Sequence, residues 1–247
     1  RIVTGVQTCA LPIYYLYAAV SNSQTGLEVW RSATGSAGSW SQVNADGFGS
    51  GGSWDDVVQD VVMETSGSYL YVGLGRNGRA ELWRTRNGSN WGPVFANGLG
   101  NDNNTRVSAL ASFRGGLCAG LRNTVDGGEV WCSGNGLDNW ERKVAGGLGN
   151  PSNTRPYGLV AYQGQLYLAF GNADQGAQVW SSVDGDAWQP IVVDGWGDAS
   201  NMLPDYFDKS AAEFGGGLYF STWNFAHGGE VWRMIPQVYL PLVTRSN

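Results

Sequence analysis

The sequence is poor in the residues from which most catalysts and metal sites are built. It holds one histidine, three cysteines and only 15% charged residues. A Ser/His/Asp triad could be built only around His227, which sits in a loop before Gly228-Gly229, and no nucleophile-elbow motif accompanies it. No His/Cys cluster has metal-ligand spacing, and the run Asn101-Asp102-Asn103-Asn104 offers oxygen ligands without the spacing of a calcium loop. No metal, cofactor or catalytic residue is therefore expected. Lys and Arg number 15 against 21 Asp and Glu, a formal net charge of −6, and they form no cluster. That balance argues against nucleic acid or an anionic membrane surface as partner. No apolar run approaches the roughly 20 residues of a membrane span.

Glycine and tryptophan are plentiful instead, at 38 and 12 residues, which describes many short strands joined by tight turns. Five times a Leu-Tyr-like pair is followed by a Val-Trp-like pair: Leu16/Tyr17 with Trp30, Leu70/Tyr71 with Trp83, Leu117/Cys118 with Trp131, Leu166/Tyr167 with Trp180, and Leu218/Tyr219 with Trp232. The tryptophans step by 53, 48, 49 and 52 residues, a period at which one supersecondary unit is copied and stacked. The third copy reads as strands over Val107–Phe113, Leu117–Leu121 and Glu129–Ser133, with a fourth from Trp140 to before Gly146. The fourth copy repeats this over Tyr157–Tyr162, Leu166–Phe170, Gln178–Ser182 and Trp188–Val193. Four antiparallel strands in about 50 residues are the signature of a β-propeller blade. The expected fold is all-β, a propeller of five four-stranded antiparallel blades over residues 14–236, with a truncated six- or seven-bladed parent as the alternative. Residues 237–247 read as a closing strand and tail, Pro241 confining that strand to an edge or an end.

The turn between the third and fourth strands is Thr85-Arg-Asn87-Gly88-Ser-Asn-Trp91 in copy two, Ser133-Gly-Asn135-Gly-Leu-Asp-Asn-Trp140 in copy three and Ser182-Val-Asp184-Gly185-Asp-Ala-Trp188 in copy four. These turns resemble the Asp-box, or BNR repeat, of sialidase-like propellers, Ser-x-Asp-x-Gly-x-x-Trp. Copy one, Ser32-Ala-Thr34-Gly35 to Trp40, lacks the Asp. The resemblance implies a structural turn on the face away from the ligand. It also implies what a sialidase would need: an arginine triad, a Tyr nucleophile with a Glu partner, and an acid. Arg31, Arg84 and Arg233 occupy one repeat position and Arg106 and Arg155 another, a scaffold distribution, so the family's catalytic residues do not carry over. A second resemblance concerns the start of the chain. Val3 to Ile13 resembles the translation of a sequencing-library adapter over eleven residues, so residues 1–13 are set aside as non-native. The first copy is then expected to lack its first strand, and any signal peptide to have been lost upstream.

With Cys9 in that segment, Cys118 and Cys132 remain, replacing a Tyr and an Arg position of one copy on neighbouring strands. They read as a disulfide, with two free thiols as the alternative, and a disulfide implies an oxidising compartment. Two loop sets share the other face of the propeller. They offer Asn22, Asn77, Asn123, Asn172 and Asn224 after the second strands, with Trp54, Trp196 and Trp223 as aromatics. Amides and aromatic platforms suit sugar hydroxyls and C–H faces. Yet each Asn also fits a turn former, and each Trp a plug against a neighbouring loop. The acids Asp55, Asp56, Asp60 and Glu64, and Asp205, Asp208 and Glu213 with Tyr206, crowd two innermost strands. The expectation is a secreted, monomeric, non-enzymatic module that binds glycan or a cell-surface protein through this loop face. The alternative is a sialidase-like or other polysaccharide-degrading hydrolase or lyase acting through acids near Asp60 and Asp208.

Overall fold

The computed structural model describes residues 15–50, 61–203 and 210–234 in full, and the backbone of residues 2–7. Strands follow one another in hairpin order as five antiparallel sheets. The first sheet holds β1 (Ile2–Gln7), β2 (Leu16–Asn22), β3 (Gly26–Ser32) and β4 (Ser41–Gln42). The second holds β5 (Val61–Ser66), β6 (Tyr69–Arg76), β7 (Arg79–Thr85) and β8 (Trp91–Phe95). The third holds β9 (Arg106–Phe113), β10 (Gly116–Arg122), β11 (Glu129–Ser133) and β12 (Glu141–Val144). The fourth holds β13 (Arg155–Tyr162), β14 (Gln165–Gly171), β15 (Gln178–Ser182) and β16 (Gln189–Val192). In the fifth, β17 (Ala211–Phe214), β18 (Gly217–Thr222) and β19 (Glu230–Met234) pair among the described residues. The expected closing strand over 238–243 lies outside them.

One expectation is corrected at the N-terminus. The first sheet does not want for an innermost strand, because Ile2–Gln7 pairs antiparallel with β2, Ile2 facing Ser21 and Gln7 facing Tyr17. Ladder bonds come from the backbone, so a segment set aside for its sequence can still complete a sheet.

Strands of the second, third and fourth sheets read as nearly continuous apolar runs because both faces of each of these sheets are covered by a neighbouring sheet. Tyr17, Leu27 and Val29 of the first sheet pack with Val61, Leu70 and Val72 of the second, and three further clusters join the second sheet to the third, the third to the fourth and the fourth to the fifth. The core is thus a series of inter-sheet layers, each burying apolar side chains at about 25 cal/mol per Å² removed from water. Close approach is set by glycine at two places. A Cβ on Gly73 would lie 2.5 Å from a Val107 methyl, and one on Gly120 would lie 2.6 Å from Pro156 Cβ.

Cys118 and Cys132 stand directly opposite on β10 and β11 and are joined, S–S 2.09 Å. The same cross-strand position pairs Tyr17 with Arg31, Tyr71 with Arg84 and Tyr219 with Arg233, so the disulfide replaces a tyrosine–arginine pair.

Candidate functional site

The loops that lead from the second, third and fourth sheets to the next are shaped by one buried asparagine each. Asn104 donates from Nδ2 to Gly98 O at 2.9 Å and to Glu129 Oε2 at 2.8 Å, while its Oδ1 accepts from Asn123 at 3.1 Å. Asn153 repeats this with Gly147 O, Gln178 and Asn172, and Asn201 with Gly195 O, Glu230 and Asn224. These bonds hold a left-handed bend that pushes one large residue onto the tryptophan of the next sheet, and in the first loop Arg76 and the Ser50 hydroxyl donate to Gly47 O at the same bend. Phe48, Leu99, Leu148 and Trp196 have φ of 56°, 56°, 60° and 61°. Phe48 stacks on Trp83 at 4.6 Å and Trp196 on Trp232 at 5.3 Å, while Leu99 and Leu148 pack beside Trp131 and Trp180. Such backbone costs about 1–3 kcal/mol at a non-glycine residue, and buried aromatic contact offsets it. The repeated acids complete the arrangement, since Glu28, Glu81, Glu129 and Glu230 each accept the indole N–H two residues along the strand.

The asparagines proposed for the loop face serve largely as turn formers. Asn123 and Asn172 are 0% exposed and Asn224 is 2% exposed; the Oδ1 of each accepts two successive backbone N–H groups, and each Nδ2 is taken by the buried Asn of the same loop pair. Asn22 is half-buried, accepts Gln24 N–H and donates to Glu28. Asn77, at φ 51° before Gly78, makes the tight β6–β7 hairpin and is exposed. Trp196 is the plug already described. Trp54 lies outside the described residues, as do Asp55, Asp56, Asp60, Asp205, Tyr206 and Asp208.

Trp223 is different. It is 38% exposed beside Phe225, which is 85% exposed, with ring centroids 4.4 Å apart. Both lie in the loop after β18, which is anchored by a bridge between Trp223 and Met202 and by Asn224 donating to Asp198 Oδ2 at 2.8 Å. His227 Nδ1 lies 3.2 Å from the same carboxylate oxygen. The Ser200 N–H, then Asn224 and His227, hold the Asp198 carboxyl below the usual range, so it is an anion at neutral pH. An aromatic pair edged by a carboxylate, an imidazole and backbone is thereby presented on a fixed loop. Sequence reading had Trp223 but passed over Phe225, whose only signal was an apolar residue in a polar turn.

Two further features bear on chemistry. Where innermost strands β5, β9, β13 and β17 meet, Val62, Met63, Leu110, Leu159 and Ala211 close together. Beside them a cavity of about 300 Å³ takes in both Glu64 and Glu213 with Ser112. A cleft of about 540 Å³ lies at the rim between the first and second sheets and is lined by Arg31, Gln42, Trp83 and Trp91, among others. No group of three or more metal-ligating side chains occurs among the described residues.

No protein-family profile and no curated protein matches the sequence. Solved structures do match in three dimensions. An endo-arabinase from Bacteroides thetaiotaomicron aligns over 95% of this chain and 94% of its own at 10% identity, TM-score 0.52. The sialidase of Trypanosoma rangeli, in complex with sialic acid, aligns over 94% of this chain at 15% identity, TM-score 0.57, and this chain spans 47% of it. Aleuria aurantia lectin in complex with α-methyl-L-fucoside aligns over 88% of this chain and 72% of its own at 10% identity, TM-score 0.53. At such identities the likeness is one of fold, and the fold is that of the β-propellers.

Proposed function

We propose that this chain is a secreted, monomeric, five-bladed β-propeller that binds carbohydrate without transforming it. The observation that carries the reading is the exposed pair Trp223 and Phe225 on an anchored loop. Fixed, solvent-facing rings stack on the C–H face of a sugar, and the neighbouring Asp198 carboxylate and His227 ring can bond its hydroxyls. Of the three solved structures compared above, one is a lectin with a bound fucoside and two carry the names of glycan-cleaving enzymes. Secretion accords with the Cys118–Cys132 bond, which persists in oxidising compartments. The turns Thr85–Trp91, Ser133–Trp140 and Ser182–Trp188 act in this reading as Asp-box structural turns on the far face, each with its Asn or Asp bonding two backbone N–H groups.

A glycan array of the protein beside a Trp223→Ala/Phe225→Ala double variant tests the proposal. Selective binding that the variant loses supports it; binding that the variant keeps places recognition elsewhere. The hydrolase reading is favoured by one observation, that Glu64 and Glu213 line a single cavity among the innermost strands. Its test is release of reducing ends from arabinan and other polysaccharides, abolished by Glu64→Gln or Glu213→Gln. Turnover by the native chain that either substitution removes would displace the binding-module proposal.

A further inference from the structure

The rim cleft between the first two sheets arises from one substitution within the repeat. Aligned on the Gly-Phe48-Gly and Gly-Leu99-Gly bends, Asn44 stands where the later copies carry Phe95, Val144 and Val192. At the next junction Phe95 fills this place by packing edge-on against Trp140, ring centroids 5.5 Å apart. Asn44 instead turns back into its own sheet: its Oδ1 accepts Val29 N–H at 2.6 Å and its Nδ2 donates to Leu27 O at 2.9 Å. Strand β4 is also only two residues long, where β8 has five and β12 and β16 four. Together these changes leave about 540 Å³ open beside Trp91, within the range of pockets that hold small-molecule ligands.

The indole walls of this cleft are held by hydrogen bonds and stacking, and several of its polar groups keep bonding capacity toward the opening. Trp91 is fixed by its N–H donating to Val43 O at 2.9 Å, and Trp83 is held between Phe48 and Glu81. Among the described residues Arg31 has no carboxylate partner; its guanidinium lies 4.7 Å over Tyr15 and touches Asn87 O at 3.5 Å. By contrast Arg76, Arg79 and Arg142 are paired with Glu81, Asp102 and Glu129. Gln42 donates from Nε2 to Asn44 O and Asp46, which leaves its Oε1 as an acceptor, and the hydroxyl of Ser89, whose backbone N–H bonds Asn87, makes no bond among the described residues. An unpaired cation, a free amide oxygen and a hydroxyl beside fixed indoles match a sugar ring that carries an anionic substituent.

We propose that this cleft is a second carbohydrate site, separate from the Trp223 loop, that takes an acidic sugar unit, with the carboxylate or sulfate on Arg31 and the ring beside Trp91. Calorimetric titration of the whole chain with trigalacturonate, with a sulfated galactose trisaccharide and with neutral galactotriose tests this. One acidic probe should bind better than the neutral one, and which one does identifies the anion. Arg31→Gln should weaken that binding about tenfold or more, the worth of one charge-assisted contact. Ser89→Trp, which fills the cleft from an exposed turn, should abolish it, and Trp223→Ala/Phe225→Ala should leave it unchanged. Should Ser89→Trp unfold the chain, Arg31→Gln alone decides. Acidic probes that do not bind, or that bind equally well to the Arg31→Gln chain, overturn the proposal whatever the fate of the loop site.

Discussion

Asp184 shows how a single carboxylate can serve as a turn clamp. It accepts the N–H groups of Ala187 and Asp186 at 3.0 and 2.9 Å and the Ser182 hydroxyl at 3.0 Å. These bonds, the Ala187 N–H first, bring its carboxyl down to about 2. A folded pKa below the unfolded one means stability that is full above about pH 4 and is lost as pH falls through about 2. Asn87 and Asn135 make the same bonds without a charge, so acid should loosen the fourth-sheet turn and spare the other two. Carboxyl carbon titration should place the Asp184 midpoint near 2, the value its three hydrogen bonds impose, and Asp184→Asn should abolish the acid dependence of amide exchange there. An ordinary aspartate midpoint would contradict this. Glu129 is the opposite case, buried and accepting Trp131, Asn104 and Arg142. Glu129→Ala leaves two buried donors unmet, and urea unfolding should show a loss of about 2–4 kcal/mol. The fourth sheet already shows the altered set: Gln178 replaces the acid, Pro190 stands opposite Trp180 where Arg142 stands opposite Trp131, and the Trp180 indole N–H has no acceptor among the described residues.

At the scale of the element, the strand-three-to-four turns of the second and third sheets are each locked by the sheet before. The Tyr71 hydroxyl lies so close to Gly136 that a methyl group there would overlap it, and Tyr17 meets Gly88 in the same way. In the fourth sheet the tyrosine position of the preceding sheet is Cys118, and the nearest atom to a Cβ on Gly185 is Phe113 Cε1 at 3.9 Å. Both Gly136 and Gly185 have positive φ, so alanine costs about 1 kcal/mol at either. At Gly136 overpacking adds about 1–3 kcal/mol. Gly136→Ala should therefore lower the urea midpoint clearly more than Gly185→Ala; equal losses would mean that the tyrosine is not the lock. The strands themselves were legible from repeat spacing, and Glu129–Ser133 and Gln178–Ser182 fall where the sequence places them. What was less legible was the use of the asparagines. Asn123 and Asn172 have the residue type that sugar contacts, tight turns and buried staples all select, and only the three-dimensional closeness of Asn104 and Asn153 separates these uses. Trp196 looked unique by residue type, but it occupies the place of Phe48, Leu99 and Leu148 and does their work. The rim cleft could be seen only by comparing copies position by position, since Asn44 is informative solely as the absence of a Phe or Val.

At the scale of the molecule, every sheet but the outermost pair is covered on both faces by its neighbours, so open strand edges become the chief hazard. In the first sheet β1 covers one edge of β2, with Val3 opposite Val20 and Val6 opposite Ala18. An adapter-like sequence can do this because the ladder uses N–H and C=O groups common to all residues except proline. Removing residues 1–13 would strip that strand and leave a row of unpaired backbone groups on β2, a ready template for a second chain. Light scattering should then find dimers or larger species for residues 14–247 at concentrations where the 247-residue chain is monomeric. The association should also be reversed by a charged residue on that edge, Tyr15→Lys being the natural choice because Tyr15 lies at its start and is only half-buried. If the shortened chain remains a monomer with an unchanged unfolding midpoint, β1 contributes no closure in solution, and the edge of β2 must be protected by another part of the propeller.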